Sequence, residues 1–305
     1  MRSIAIVILS FNGEKDTLEC LKSIKNLKTD GFKLLTIVVD NGSTKALNLG
    51  NFQFPISNFQ FKLIRNEENL GFSGGNNVGI RYALKKNADY ICILNNDTIV
   101  DQSLIEELLK LAQSNERIGI VVPKIYFAKG FEFHKNRYKE EERGRVIWYA
   151  GGVMDWRNAI GAHRGVDEVD HGQYKKVQET DFASGCCMFV KREVFEKIGF
   201  FDEKYFLYYE DNDLSQRAKR EGFRIIYSPK AVLWHKNAGS AGGSGSKLQD
   251  YYITRNRLLF GMRYVPFRSK LSLIKESFKL LFLGRTWQKR GVLDFYLGRF
   301  RRGSF

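Results

Sequence analysis

Proline is scarce in this 305-residue chain, present only at Pro55, Pro123, Pro229 and Pro266. With so little proline and no long polar tract, an extensively disordered chain is excluded. Long apolar runs are also missing. The first one, Ile4-Ala5-Ile6-Val7-Ile8-Leu9, is too short for a signal peptide or for a membrane span, which needs about 20 residues. A cytoplasmic protein is expected, with any membrane contact peripheral. Cysteine is sparse, and Cys20, Cys92, Cys186 and Cys187 have no metal-ligand spacing. Buried free thiols in a reducing compartment follow, the vicinal pair placing one thiol on each face of a strand. Acids are deficient in one region only. The net charge is +15, yet residues 251–305 hold 13 Lys/Arg against Glu276 and Asp294, leaving +4 for the first 250 residues. Charge confined to a tail, with no recognisable RNA or DNA module, argues against a nucleic-acid partner. What is present is 43% hydrophobic and 14% aromatic residues, enough to bury one large α/β domain plus an extension.

The first half alternates strand and helix. Strands are expected at Ile4–Leu9, Leu34–Val39, Phe61–Arg65 and Tyr90–Leu94. Helices are expected over Glu14–Leu27, where Leu18, Leu21, Ile24 and Leu27 recur at near-helical spacing, after the glycine cluster 71–79 through Ile80–Lys86, and from a Ser103 cap to Gln113 with Glu106 closing a capping box. This order predicts a mostly parallel sheet with helices on both faces. Residues 128–145 read as a flexible surface insertion and Gly151–Gly165 as loop or irregular β. Then come a strand Cys186–Lys191, a helix Glu193–Ile198, a helix capped by Asp213 and ending at Gly222, and short strands Arg224–Tyr227 and Ala231–Trp234. The Gly/Ser-rich stretch Asn237–Ser246 reads as a mobile loop. No repeat is visible.

Chemistry-bearing residues fall at the ends of these strands. Ile91-Cys92-Ile93-Leu94 runs into Asn95-Asn96-Asp97-Thr98. A carboxylate at the C-terminal end of a parallel strand sits at the mouth of an open sheet, where ligands bind and a hard cation finds oxygen donors. Asp97 is the expected metal ligand; Asn95 would hydrogen-bond a ribose or a metal-bound water. His235, following Ala231–Trp234, is a second candidate ligand. Asp40, in Asp40-Asn41-Gly42-Ser43, is either a turn residue or the acceptor of a uracil or thymine N3–H, with Ser10-Phe11-Asn12 covering the same base. Gly71, Gly74, Gly75 and Gly79 fit neither G-x-G-x-x-G nor a P-loop. They either make a plain turn or let backbone approach a nucleotide, with Asn76 and Asn77 as polar contacts. Glu210 and Asp211 compete for the role of general base.

Together these residues resemble the inverting family 2 glycosyltransferases of GT-A fold, in particular their bacterial rhamnosyltransferase-like branch. The resemblance rests on Val38–Ser43, Asn69–Ile80, Leu94–Asp97, Ala150-Gly151-Gly152, Ser184–Met188, Phe200–Glu203, Glu210–Leu214, Trp234-His235 and Tyr251–Arg257, in order over roughly 3–260. It implies a GT-A nucleotide-diphospho-sugar transferase domain over 1–250, with a nucleotide-binding half (1–100) and an acceptor and catalytic half (101–250), followed by a basic helical extension (251–305). It further implies a nucleotide-sugar donor held by Ser10, Asn12, Asp40, Gly74, Asn76, Asn77, Asn95 and Asn96, and Mn²⁺ or Mg²⁺ at Asp97 and His235. The base falls at Asp211, with Glu210 as alternative or support, and Gly151, Gly152, Ser184 and Gly185 fall on the acceptor side. The family's D-x-D metal motif opens here with Asn95. A dTDP-rhamnose donor is favoured over a UDP-hexose, and the acceptor is a glycan or lipid-linked hydroxyl. A sugar nucleotidyltransferase would instead open on a basic Gly-rich loop, where this chain has Ser10-Phe11-Asn12-Gly13.

In the tail, Leu271, Ile274, Phe278 and Leu281 form an apolar stripe bordered by Lys270, Lys275, Lys279 and Arg285. It either packs on the domain or lies on an anionic membrane surface.

Overall fold

The computed structural model describes residues 1–50, 59–237 and 245–305. Most of the Gly/Ser-rich stretch, residues 238–244, therefore lies outside the described residues. The elements run β1 (Arg2–Ser10), α1 (Glu14–Ile24), β2 (Phe32–Asp40), β3 (Phe59–Arg65), α2 (Gly71–Lys85), β4 (Tyr90–Asn95), β5 (Thr98–Val100), α3 (Leu104–Gln113) and β6 (Ile118–Phe127). There follow β7 (Ile147–Tyr149), β8 (Gly152–Asp155), β9 (Ile160–His163), β10 (Gln178–Glu179), β11 (Cys187–Lys191), α4 (Arg192–Ile198), α5 (Glu210–Arg220) and β12 (Arg224–His235). Three helices close the chain: α6 (Lys247–Tyr264), α7 (Phe267–Leu283) and α8 (Thr286–Tyr296).

The central sheet has the order β10-β12-β6-β11-β4-β1-β2-β3. Strands β3, β2, β1 and β4 pair in parallel, as do β6 and β12. β11 enters between β4 and β6 antiparallel to both. Residues Ile4–Ile8 and Ile91–Leu94 are buried without alternation, the signature of strands covered on both faces. The chain moves outward through β2 and β3, then returns to lay β4 on the other side of β1. That reversal opens a crevice at the carboxyl ends of β1 and β4.

Several local expectations change. β12 is one strand with a register irregularity between Ser228 and Val232, not two; Pro229, which lacks an N–H, sits in the bulge. α2 starts at Gly71, so the glycine cluster is helix rather than a turn before one. A Cβ on Gly79 would strike Val7 Cγ1, and one on Gly75 would strike Leu9 Cδ1. These glycines bring the helix axis close to the sheet. Ser103 stands at the N-cap of α3, but its Oγ donates to Asp101 (2.6 Å) and caps no N–H, so the capping box with Glu106 does not form. Asp213 does not cap α5. The helix begins at Glu210 after Tyr209 at φ 72°, which puts Asp213 inside it and fully buried. There it accepts from Arg217 (2.8 Å), Arg263 (3.0 Å) and Tyr264 (2.7 Å), two of them from α6.

The insertion 128–145 is folded around a small cluster of Phe127, Tyr138 and Val146. Its buried Glu132 accepts from the Gly130 and Gly144 N–H groups (2.9 and 2.8 Å). Residues 151–165 include the antiparallel β8–β9 hairpin. The division drawn at 250/251 falls inside α6, which buries Tyr251, Tyr252, Arg255, Asn256 and Phe260. All four cysteines are buried and free.

Candidate active site

Strand register does the first work. Ser10 pairs with Asp40, and Leu9 with Asn95, so three strand ends lie side by side at the crevice. Asp40 is buried; its Oδ1 accepts from Ser43 N–H (3.1 Å), and its Oδ2 from Leu47 N–H (3.0 Å) and Arg65 Nη1 (2.6 Å). Burial works to raise this carboxyl, but the Ser43 and Leu47 bonds and the Arg65 guanidinium hold it below the usual carboxylate range. Asn12, at φ 53°, knits the same corner: its N–H donates to Ser43 Oγ and its Oδ1 accepts from Thr44 N–H. Ser10 Oγ accepts from Thr17 Oγ1 (2.9 Å), and Asn96 Nδ2 donates to Gly13 O and Thr17 Oγ1.

The helix after this corner holds the other predicted donor residues. Asn76 Nδ2 donates to Phe72 O while its buried Oδ1 lacks a hydrogen-bond partner. Asn77 is committed elsewhere, bonding Phe201 N–H and C=O and Glu203. Gly74 packs on Leu70. Asn77 and Gly74 therefore serve packing in this structure.

Asp97 and His235 meet, as their strand-end positions predict. β12 pairs with β5, and His235 Nε2 lies 3.1 Å from Asp97 Oδ1. The Trp148 ring stands edge-to-face against His235 at 4.6 Å. Burial disfavours the imidazolium, but Cys186 and the Asp97 carboxylate more than offset it and push His235 up to about 10. Its buried Nδ1 has no hydrogen-bond partner. One carboxylate and one imidazole converging at a crevice suit Mn²⁺, which accepts both donor types, better than Mg²⁺. Among the described residues no three His, Cys, Asp or Glu side chains are grouped to hold a metal. Any ion here would complete its shell with non-protein oxygens.

Asp211 occupies the second position of α5 and is half-buried. Its Oδ2 accepts from Gly185 N–H (3.0 Å), and its Oδ1 from Asn212 N–H and Nδ2 (2.8 and 2.9 Å). Burial raises its carboxyl, against those hydrogen bonds. Glu210 is buried with Oε2 unpartnered, and burial, then the neighbouring Asp211 and Asp213 charges, push it well above the usual range. The charged form is thus disfavoured more strongly at Glu210 than at Asp211.

The turn Ser184-Gly185-Cys186-Cys187 joins the two centres. Gly185 lies against Phe72 and Asp211, and a Cβ there would meet Phe72 Cζ at 2.9 Å. One residue on, Cys186 C=O accepts from Asn95 N–H (2.9 Å). Ser184 Oγ accepts from Cys186 N–H (3.3 Å). Gly151 (φ 107°) and Gly152, expected on the acceptor side, are filled from behind by Arg164 and Phe182. The turn of the β8–β9 hairpin meets the residue before α5, where Tyr209 OH donates to Ala159 O (2.9 Å). Sequence reasoning assigned no role to Trp148, which orients His235, or to Arg255 and Asn256, whose contacts are described below. Only an α6 motif of the family pattern flagged that pair.

A switch-point crevice with the Asp97–His235 carboxylate–imidazole pair at one end and the half-buried Asp211 carboxylate at the other accords with a GT-A nucleotide-sugar transferase. The description "Glycosyl transferase family 2" matches residues 5–199, and the chain belongs to that family; it is a glycosyltransferase that uses a nucleotide-sugar donor. It is 29% identical over 259 residues to the low-salt glycan biosynthesis hexosyltransferase Agl10 of Haloferax volcanii, covering 84% of this chain and 74% of that one. It is 26% identical over 216 residues to N-acetylglucosaminyl-diphospho-decaprenol L-rhamnosyltransferase of Mycobacterium tuberculosis, covering 68% of this chain and 67% of that one. Among solved structures, GalNAc-T7 with UDP, GalNAc and Mn²⁺ aligns with TM-score 0.63 at 17% identity, over 96% of this chain and 57% of that one. The mannosyltransferase PcManGT of Pyrobaculum calidifontis, with GDP-Man and Mn²⁺, gives 0.54 at 15%, over 97% and 74%. These two likenesses speak for the fold alone.

Proposed function

We propose that the chain is an inverting transferase moving a hexose, L-rhamnose from dTDP ahead of a UDP-hexose, onto a hydroxyl of a lipid-linked glycan. The observation that carries this reading is the Ser184–Cys187 turn, which bonds Asp211 on one side and, on the other, the end of β4 at Asn95, two residues before Asp97. Asp40 and the Ser10–Asn12 backbone receive the base of the donor. Asn95 and Asn96 face its ribose and diphosphate. Asp97 and His235 would hold Mn²⁺, which supplies positive charge against the departing diphosphate. Asp211, steadied by Gly185 N–H, takes the proton of the acceptor hydroxyl as that oxygen attacks the anomeric carbon from the opposite face. One displacement inverts the centre without a covalent enzyme intermediate. The buried, unpartnered Ser73 Oγ and Asn76 Oδ1 lie in the first two turns of α2, and Glu210 Oε2 and Asn212 Oδ1 in the first turn of α5. They offer hydrogen-bonding capacity suited to a polyhydroxylated ligand. The name of the tuberculosis relative, with its rhamnosyl group and lipid-diphosphate acceptor, supports the donor and acceptor classes.

The same reading places the chain peripherally on an anionic, cytoplasmic membrane face. No helix among the described residues is long and apolar enough to cross a membrane. Yet Phe267, Phe282 and Leu283 are 72–77% exposed on α7, beside Lys270, Lys275, Lys279 and Arg285. Apolar tips ringed by lysines suit an interfacial surface, each basic group adding about 1 kcal/mol near anionic lipid.

The test is calorimetric titration of dTDP-rhamnose and UDP-hexoses, each with Mn²⁺ and with EDTA. Metal-dependent binding of one donor, followed by its transfer with inversion to a polyprenyl-diphospho-sugar, is expected. Release of pyrophosphate from a nucleoside triphosphate and a sugar phosphate would instead make it a nucleotidyltransferase.

A further inference from the structure

The segment that delivers Asp211 is strained, and its sequence does not explain why. Lys204-Tyr205-Phe206-Leu207-Tyr208-Tyr209 contains no Gly, Asn or Asp. Even so, Phe206, Tyr208 and Tyr209 take φ values of 64°, 68° and 72°, conformations that bulky side chains rarely adopt. Leu207 N–H donates to Tyr205 C=O (2.7 Å) across Phe206, a three-residue turn of the rare positive-φ hand. Such geometry persists only where the surroundings over-determine it.

Those surroundings come largely from α6. Asn256 Nδ2 shares its two hydrogens among the carbonyls of Tyr205 (2.7 Å), Leu207 (2.8 Å) and Tyr208 (2.8 Å). Arg255 Nη2 donates to Lys204 O and Tyr205 O (both 3.1 Å), and Nε to Asn256 Oδ1 (3.0 Å). Ser73 N–H takes Phe206 O (3.2 Å), and Asp213 N–H takes Tyr209 O (2.9 Å). Every carbonyl from Lys204 to Tyr209 is thereby engaged. The other side of the Arg255 fork is closed by the last turn of the chain: Nη1 donates to Arg301 O (2.8 Å), Arg299 O (3.4 Å) and Tyr251 OH (3.3 Å). Gly303 lies over Tyr251 OH and 2.9 Å, measured from its would-be Cβ, from Arg255 Nη1.

Arg255 is fully buried, and its hydrogen bonds go to carbonyls, an amide oxygen and a hydroxyl rather than to a carboxylate. A buried charge of this kind is poor value as a stabiliser, since well-packed apolar residues commonly do as well. Its planar fork does something they cannot: it fixes several carbonyls in direction at once. We propose that Arg255 and Asn256, closed from outside by residues 299–303, are positioning residues that hold 204–209 in its left-handed path and so aim Asp211 at the acceptor hydroxyl. The proposal rests on the reading of Asp211 as the base.

The test compares full-length Asn256→Ala, Arg255→Lys and Gly303→Ala with Asp211→Asn and the unaltered protein. The readouts are donor affinity by calorimetry with Mn²⁺, nucleoside diphosphate release at saturating donor, thermal midpoint, and amide exchange of 204–212. Asn256→Ala is expected to lower kcat by about 100-fold, the cost of misplacing a reacting group by about 1 Å. Donor affinity should stay within about threefold, because β1, β2 and β4 are untouched. Exchange should accelerate at 204–212 while β1 and β4 stay protected. Arg255→Lys, which keeps the charge but not the fork, should behave alike, and Gly303→Ala, far from any core strand, should show a smaller loss of the same kind. Should Asn256→Ala not fold, Gly303→Ala decides through the same readouts. Loss of kcat and donor affinity in equal measure, or unchanged exchange at 204–212, would overturn the positioning role. Full turnover by Asp211→Asn would remove the base assignment instead, and the exchange result would still decide whether the clamp holds the segment.

Discussion

On the donor side of the cleft, side chains arrive at the ends of β1, β2 and β4, and register alone sets Ser10, Asp40 and Asn95 in a row. On the side of Asp211, the proposed base, the chain arrives through three left-handed residues in a segment bonded by side chains of α6, with the last turn of the chain bonded to Arg255 behind it. The first construction is local and repeats one motif, strand then helix. The second draws on parts of the chain that are far apart and depends on individual hydrogen bonds. A donor site built by register should tolerate change in any one contact, whereas a base aimed by a clamp should not.

The sharpest way to separate the two sides is Asp211→Asn. It should cut turnover by about 10²–10⁴-fold and leave metal-dependent donor binding in place, as measured by single-turnover kinetics beside calorimetry. Asp97→Ala should do the reverse at the binding step. Donor affinity in Mn²⁺ should fall to the level seen in EDTA, by more than the about 10–100-fold that loss of an outer-shell partner costs. Equal donor affinity with and without metal in the unaltered protein would refute the metal assignment.

The pH dependence follows from His235. Its folded value, about 10, lies above its ordinary 6.5. In the metal-free protein its contribution to stability is therefore complete below about pH 6.5 and is lost as pH rises toward 10. Metal binding needs the neutral imidazole, so apparent Mn²⁺ affinity should rise with pH across the same window. A flat Mn²⁺ affinity between pH 6.5 and 9 would exclude His235 as a ligand.

A smaller effect tests the packing of the donor half. Gly79→Val, pressing on Val7 and Val39, should cost about 1–3 kcal/mol of stability and leave kcat of the folded fraction unchanged; denaturant unfolding beside activity measures both. The least effect on catalysis is expected from Phe267, Phe282 and Leu283 changed together to Ser. Co-sedimentation with anionic vesicles should fall while transfer to a soluble acceptor analogue persists. Deleting the tail is a poorer test, because Ser304 and Asp294 bond each other and Tyr251 in the buried face of α6.

The parallel half of the fold was legible because its signals are short-range: Ile4–Leu9 and Tyr90–Leu94 are unbroken apolar runs, each followed by polar residues. Asp97, in the turn after β4, and His235, the last residue of β12, were legible as neighbours because each follows an apolar strand. Asp213 misled because three acids before a helix look like capping whether or not a distant helix supplies Arg263 and Tyr264. The glycine cluster misled for a related reason. Nothing near Gly75 and Gly79 says that Leu9 and Val7 will press against them, so a helix packed tightly on a sheet reads as a loop. The positive φ of Phe206, Tyr208 and Tyr209 left no trace at all, since the side chains that bond this segment, Arg255 and Asn256, lie some 50 residues further along the chain.

The antiparallel strand β11 has a consequence for how the chain comes to be folded. Its partners β4 and β6 are both made before it, and until Cys187–Lys191 leaves the ribosome each presents an open, apolar edge to whatever is near. Such edges invite pairing with other chains, and closing them requires a contact between segments far apart in sequence, the slow kind. Synthesis that stalls just short of Cys187 would therefore yield a sticky fragment with the parallel run β1 to β4 built and its β4 edge open, and a chain that ends at Lys191 would still leave β6 waiting for β12 on its far side.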